Sequence, residues 1–136
     1  MSSLSPTKLS PVLFVLVGLI FSSITLSSNE AAAAKVVNIE NQPITAKLSL
    51  PEISKSILKA GTGRGWKMKE TGPGEITAKI NVRTHSATIV ITYSQTSYSI
   101  TYKDSTNLKY KNGKIHRNYN KWINFLKTDI DLELSF

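Results

Sequence analysis

From Trp66 to Tyr102 the side chains alternate with a period of two, and no other feature limits the fold as much. Ile76, Ala78, Ile80 and Val82 are interleaved with Thr77, Lys79, Asn81 and Arg83. Ala87, Ile89, Ile91 and Tyr93 alternate with Thr88, Val90 and Thr92, and Tyr98, Ile100 and Tyr102 with Ser99, Thr101 and Lys103. Trp66 and Met68 alternate with Lys67 and Lys69. Successive side chains of a strand point to opposite faces, so the pattern predicts strands with one apolar and one polar face. Turns over residues 71–74, 84–86 and 94–97 separate them, and connections this short join antiparallel neighbours. The expected core element is a four-stranded antiparallel meander.

Such a sheet cannot stand alone. Eleven inward residues between Ile76 and Tyr102 would face water on its apolar side. Burying a large apolar side chain gains about 1.5–3 kcal/mol, while ordering one residue's backbone costs about 1–2. Two amphipathic segments are available as cover. Ser49 and Glu52 have capping-box spacing, Pro51 suits a first turn, and Leu50, Ile53, Ile57 and Ala60 recur at helical intervals. Gly61, Gly63 and Gly65 end that helix between residues 60 and 65. A second helix is expected from about Ile115, with Tyr119, Trp122, Ile123, Leu126 and Ile130 continuing its stripe. Asp129, Asp131 and Glu133 lie at its C-terminal end, where the helix dipole disfavours acids, so fraying is expected there. The reading is an α+β domain over residues 48–136, in the order α-β-β-β-β-α, with both helices on one face of the sheet. Residues 35–47 are expected to be a flexible leader or a short edge strand.

The first residues read differently. A short polar segment with Lys8 precedes the uninterrupted apolar run 12–21, and a hydroxyl-broken stretch extends to Leu26. Ala32 and Ala34 then supply the small residues that signal peptidase accepts, so residues 1–34 are expected to be a cleavable signal peptide cut after Ala34. The alternative is a retained inner-membrane anchor over residues 12–26, although a spanning helix wants about 20 apolar residues. Beyond Ala34 the chain carries sixteen Lys and Arg against eight Asp and Glu. That balance favours an anionic partner, and export argues against nucleic acid. The alternative is that the charge only keeps the protein soluble. There is no cysteine, which excludes disulfides, thiolate metal sites, cysteine nucleophiles and a lipidated N-terminal cysteine.

Two candidate binding regions follow. The polar sheet face carries Lys67, Lys69, Lys79, Arg83 and Lys103 among hydroxyls, with Glu75 at its rim as the only expected acid. It is either a surface for an anionic polymer or acidic protein, or an ordinary solvated face. The second region is the polar loop 104–114 and the helix start after it. There Asp104, Ser105, Asn107, Tyr110, His116, Arg117 and Asn120 either line a pocket beside free helix N–H groups or shape the loop. His85 and His116, the only histidines, fall in different turns, so a zinc site is not expected. No Gly-x-Ser-x-Gly or Ser-Lys pattern marks a nucleophile. Gly61, Gly63 and Gly65 follow a helix and precede a strand, the reverse of a phosphate loop. No cofactor is expected.

Arg-Gly-Trp at 64–66, Gly-Pro-Gly at 72–74, Tyr-Ser-Ile-Thr-Tyr-Lys-Asp-Ser-Thr-Asn-Leu at 98–108 and Gly-Lys-Ile-His-Arg-Asn-Tyr-Asn-Lys-Trp at 113–122 carry a resemblance. Together they resemble a group of small envelope proteins of Gram-negative bacteria, many of them lipoproteins. The resemblance implies a periplasmic location and no particular activity. This chain departs from the lipoprotein members in lacking the lipidated cysteine. The expected function is a non-enzymatic binding or adaptor module of the cell envelope, contacting an anionic component or acidic protein and meeting a membrane only through an uncleaved leader. The alternative is a small envelope enzyme or enzyme inhibitor using residues 104–120.

Overall fold

The alternating segments do form one antiparallel sheet, and it has one strand more than the pattern predicts. The computed structural model describes Ser3 and residues 33–136, so the leader and anchor expectations fall almost wholly outside the described residues. The elements are β1 (Ala33–Lys35), β2 (Ile39–Pro43), α1 (Leu50–Gly63), β3 (Lys67–Gly72), β4 (Glu75–Val82), β5 (His85–Tyr93), β6 (Ser97–Thr106), β7 (Lys114–His116) and α2 (Arg117–Glu133). Strands β3 to β6 are the expected meander. The fifth strand is β2, which pairs with the far edge of β6 to give the order β2-β6-β5-β4-β3. Residues 35–47 are therefore built into the fold. β1 and β7 form a separate two-stranded pair.

Other boundaries move for local reasons. Ile115 lies in β7, and α2 begins at Arg117, because His116 is its N-cap and accepts a hydrogen bond from the Asn118 N–H. The β4–β5 turn is the residue pair Arg83 and Thr84, with Val82 paired to His85. Arg83 has φ 57°, the left-handed region that costs a residue with a side chain about 1–2 kcal/mol. In the β3–β4 turn Pro73 fixes the first position, and Gly74 at φ 67° takes the second. A Cβ on Gly74 would lie 2.7 Å from the Tyr93 carbonyl oxygen.

Helix α1 starts on the expected box: the Glu52 carboxylate accepts from the Ser49 N–H at 2.7 Å, and the Ser49 hydroxyl accepts from the Glu52 N–H at 3.4 Å. Ile53, Ile57 and Ala60 of α1 and Tyr119, Ile123, Leu126 and Ile130 of α2 bury themselves against the inward residues of β4, β5 and β6. Gly61 admits Met68 of β3, whose sulfur and terminal methyl occupy the space a Cβ would need.

Helix α2 runs through its acidic last turn to Glu133. Each of its acids has a cation: Arg64 reaches across to Asp129, Lys59 lies 3.0 Å from Glu133, and Lys127 lies 2.6 Å from Asp131. Asp131 also accepts from the buried Tyr98 hydroxyl at 2.5 Å. These partners, two of them on the segment of α1, offset the dipole penalty. The N-terminal segment is held by α2 as well. Asn120 accepts from the Val37 N–H at 3.0 Å and donates to the Lys35 carbonyl at 2.9 Å. Asn38 accepts from the Tyr102 N–H at 3.1 Å.

Two buried tyrosines give opposite predictions. Tyr119 is fully buried and, among the described residues, its hydroxyl has no partner. Tyr119→Phe should leave thermal stability unchanged or higher, since an orphaned buried hydroxyl costs about 1–3 kcal/mol. Tyr98→Phe should cost about 1.5–3 kcal/mol, because it deletes a bond to a carboxylate. Burial, then the bond to Asp131, pushes the Tyr98 hydroxyl well above tyrosine's usual 10.0. The unfolded chain thus releases this proton first, and the stability it contributes is present below pH 10.0 and lost as pH rises beyond it. Chemical denaturation of wild type should show that alkaline loss, and Tyr98→Phe should reduce its slope.

Candidate binding surfaces

Pairing registers fix which side chains share the uncovered face. Lys67 stands opposite Lys79, Lys79 opposite Thr88, and Thr88 opposite Asp104. The next row is Lys69, Thr77, Val90 and Thr101, and the next runs from Glu75 through Thr92 to Ser99. No described helix or strand packs on these rows, since both helices join the core on the other side. Neighbouring strands lie about 4.8 Å apart, so Lys67 and Lys79 leave the sheet side by side.

Lys67, Lys69 and Lys79 therefore form a contiguous corner on β3 and β4. The other two predicted members do not join it. Arg83 lies in the β4–β5 turn, outside the rows. Lys103 is the extra residue of a bulge in β6, since Thr88 pairs with Asp104 and Ile89 with Tyr102. That bulge corrects the expectation that Glu75 is the only acid on the face, because it sets Asp104 there instead. Asp104 accepts from the Ser105 N–H at 2.8 Å, and Glu75 accepts from the Thr71 hydroxyl at 2.8 Å. Glu70 leaves this face altogether: it accepts from the Ser54 hydroxyl on the α1 side.

The second predicted group does not converge on one cavity. Ser105 bonds the Tyr102 hydroxyl at 2.8 Å, turned away from Asp104. The Asn107 carbonyl accepts from His85 Nδ1 at 2.6 Å, and its amide donates to the Thr84 hydroxyl at 2.8 Å. Tyr110 stacks on Tyr102 with centroids 4.3 Å apart. His116 caps α2, Asn120 holds the N-terminal segment, and Arg117 is exposed at the helix start. The loop-shaping role explains most of these side chains. His85 and His116 stack with centroids 6.2 Å apart, and their Nδ1 atoms play opposite hydrogen-bonding roles. His85 donates from Nδ1 to a carbonyl, whereas His116 accepts at Nδ1 from a backbone N–H. Among the described residues no group of three acidic or histidine side chains is placed to hold a metal ion.

One feature escaped the pattern reading. Arg64, Trp66, Ile80, Val82, Trp122 and Phe125 line an aromatic cleft of about 190 Å³ between α2 and the β3–β4 side of the sheet. The Arg64 guanidinium lies 5.0 Å from the centre of the Phe125 ring and donates from Nη2 to Asp129 at 3.1 Å. Trp122 and Phe125, three apart on one helix, are the signal that marks it. The cleft is smaller than the roughly 300–1,000 Å³ of most small-molecule sites, and its one cation is already paired. No described helix is long and apolar enough to cross a membrane.

Compared with protein-family models, with curated proteins and with solved structures, the chain matches none.

The ion pair between Arg64 and Asp129 holds the Asp129 carboxyl below the usual carboxylate range, chiefly through their hydrogen bonds. Its contribution to stability is present above the unfolded carboxyl's pKa and is lost as pH falls through the lower folded value. Arg64→Met should therefore destabilise the domain only modestly at neutral pH, because the pair is exposed and screened by solvent, and the difference from wild type should shrink at acid pH in urea melts.

Proposed function

We propose that this is an exported binding module of the cell envelope, whose uncovered sheet face holds an anionic envelope component or the acidic face of a protein. The observation that carries the reading is the direct opposition of Lys67 and Lys79, with Lys69 one row on. Like charges directly opposite on a sheet destabilise it, and an anion seated between them reverses that sign. The flanking hydroxyls of Thr77, Thr88 and Thr101 supply neutral hydrogen-bond donors, and Val90 supplies an apolar contact. Export is read from the apolar run 12–21 and the small residues before Lys35, and the envelope from the resemblance of residues 98–108 and 113–122.

The test couples stability to binding. Lys67→Gln/Lys69→Gln/Lys79→Gln should elute from heparin at clearly lower salt than wild type, while its melting temperature stays equal or rises. Arg83→Gln and Lys103→Gln should have smaller effects. Elution of the triple variant together with wild type would end the sheet-face reading. Intact mass of protein recovered from the periplasm should give an N-terminus at Lys35; an intact Met1 in the membrane fraction would instead support the anchor.

A further inference from the structure

A second basic surface lies where the chain enters the domain, and it goes beyond the sheet face. Residues 105–128 contain five lysines, one arginine and no carboxylate. The β1–β7 pair and its turn bring two of these lysines together with Lys35. Lys35 stands directly opposite Lys114, and Lys111 bridges to Lys114 across the tight turn at Asn112 and Gly113. Arg117 opens α2 immediately afterwards, and Lys121 follows one turn later on the same helix flank. All of these are exposed, and none is in an ion pair among the described residues. Beside them Tyr110 is 47% exposed, with its ring braced on Tyr102.

The position of β1 says what this surface meets. The broken apolar stretch ends at Leu26, and β1 begins at Ala33 against β7. Six residues separate them, a reach of at most about 20 Å. Whenever residues 12–26 occupy a bilayer, the β1–β7 pair is thus held within about that distance of its surface. A cluster of Lys and Arg next to a membrane-inserted segment, with an amphipathic tyrosine among them, matches an anionic headgroup layer in charge and in polarity.

We infer that the β1–β7 pair with the start of α2 is a docking surface for anionic phospholipid headgroups, engaged while the leader is still attached. The opposed lysines are relieved there by lipid phosphate. This inference shares with the proposed function only the entry of the leader into a membrane, and it uses different side chains.

The absence of cysteine makes the test clean, because one introduced thiol is unique. Full-length Lys111→Cys and, separately, Thr92→Cys on the sheet face would carry an environment-sensitive dye. Each would be mixed with phosphatidylcholine vesicles with or without phosphatidylglycerol. The dye at residue 111 should brighten on the anionic vesicles alone and lose that response as salt is raised, while the dye at residue 92 should not change. Each basic group against an anionic surface multiplies partitioning about five-fold. Lys111→Gln/Lys114→Gln/Arg117→Gln/Lys121→Gln should therefore lower the ratio of binding to anionic over neutral vesicles by at least about 50-fold. Lys67→Gln/Lys69→Gln/Lys79→Gln should leave that ratio alone, so the two surfaces fail or succeed separately. Equal dye responses on both vesicle types, or an unchanged ratio in the quadruple variant, would overturn the inference. A response at residue 111 to dextran sulfate but not to anionic vesicles would overturn it too, in favour of a soluble polyanion.

Discussion

Everything in this domain depends on covering one side of a sheet and leaving the other bare. Ile76, Ala78, Ile89, Ile91 and Ile100 are removed from water only because α1 and α2 lie over them. The helices in turn bury their apolar stripes against the sheet and against each other. Tyr119, Ile123, Leu126 and Ile130 span the stripe of α2, and Ile53 and Ile57 that of α1. The constraint sorts the charges as well. Acids gather on the helix side, where Arg64, Lys59 and Lys127 meet them, and Glu70 is drawn to the same side by Ser54. Lys67, Lys69 and Lys79 are left on the bare face with few counter-charges.

Much of this was legible in the residues because the informative signals are local. Period-two alternation defines β3 to β6, and the Ser49–Glu52 box begins α1. What escaped was long-range. The assignment of β2 to the sheet rests on pairing Ile39 with Ile100 and Gln42 with Tyr98, and no window of sequence contains both partners. The firm end of α2 rests on Arg64 and Lys59, more than sixty residues from their acids. A helix-dipole argument sees only the helix itself.

The candidate sites were legible to a lesser degree, for a related reason. Alternation placed Lys67, Lys69 and Lys79 on one face correctly, because their registers are regular. It misjudged the neighbourhood of Lys103, because a single bulged residue moves the side chains after it to the opposite face, and Asp104 took the outward position. The polar richness of residues 104–120 looked like a pocket. Most of it satisfies local backbone and side-chain groups, as Asn107, His116 and Asn120 illustrate.

The hold of Asn120 on Val37 and Lys35 spans 83 and 85 residues. A chain emerging N-terminus first, from a ribosome or through a membrane pore, presents its first strands long before their partners exist. β3, β4 and β5 can pair as they appear, but β1 and β2 must wait for β6, β7 and α2. Folding is thus completed by the last third of the polypeptide. Until then β1 and β2 have no strand to pair with, and their backbone groups are left to water.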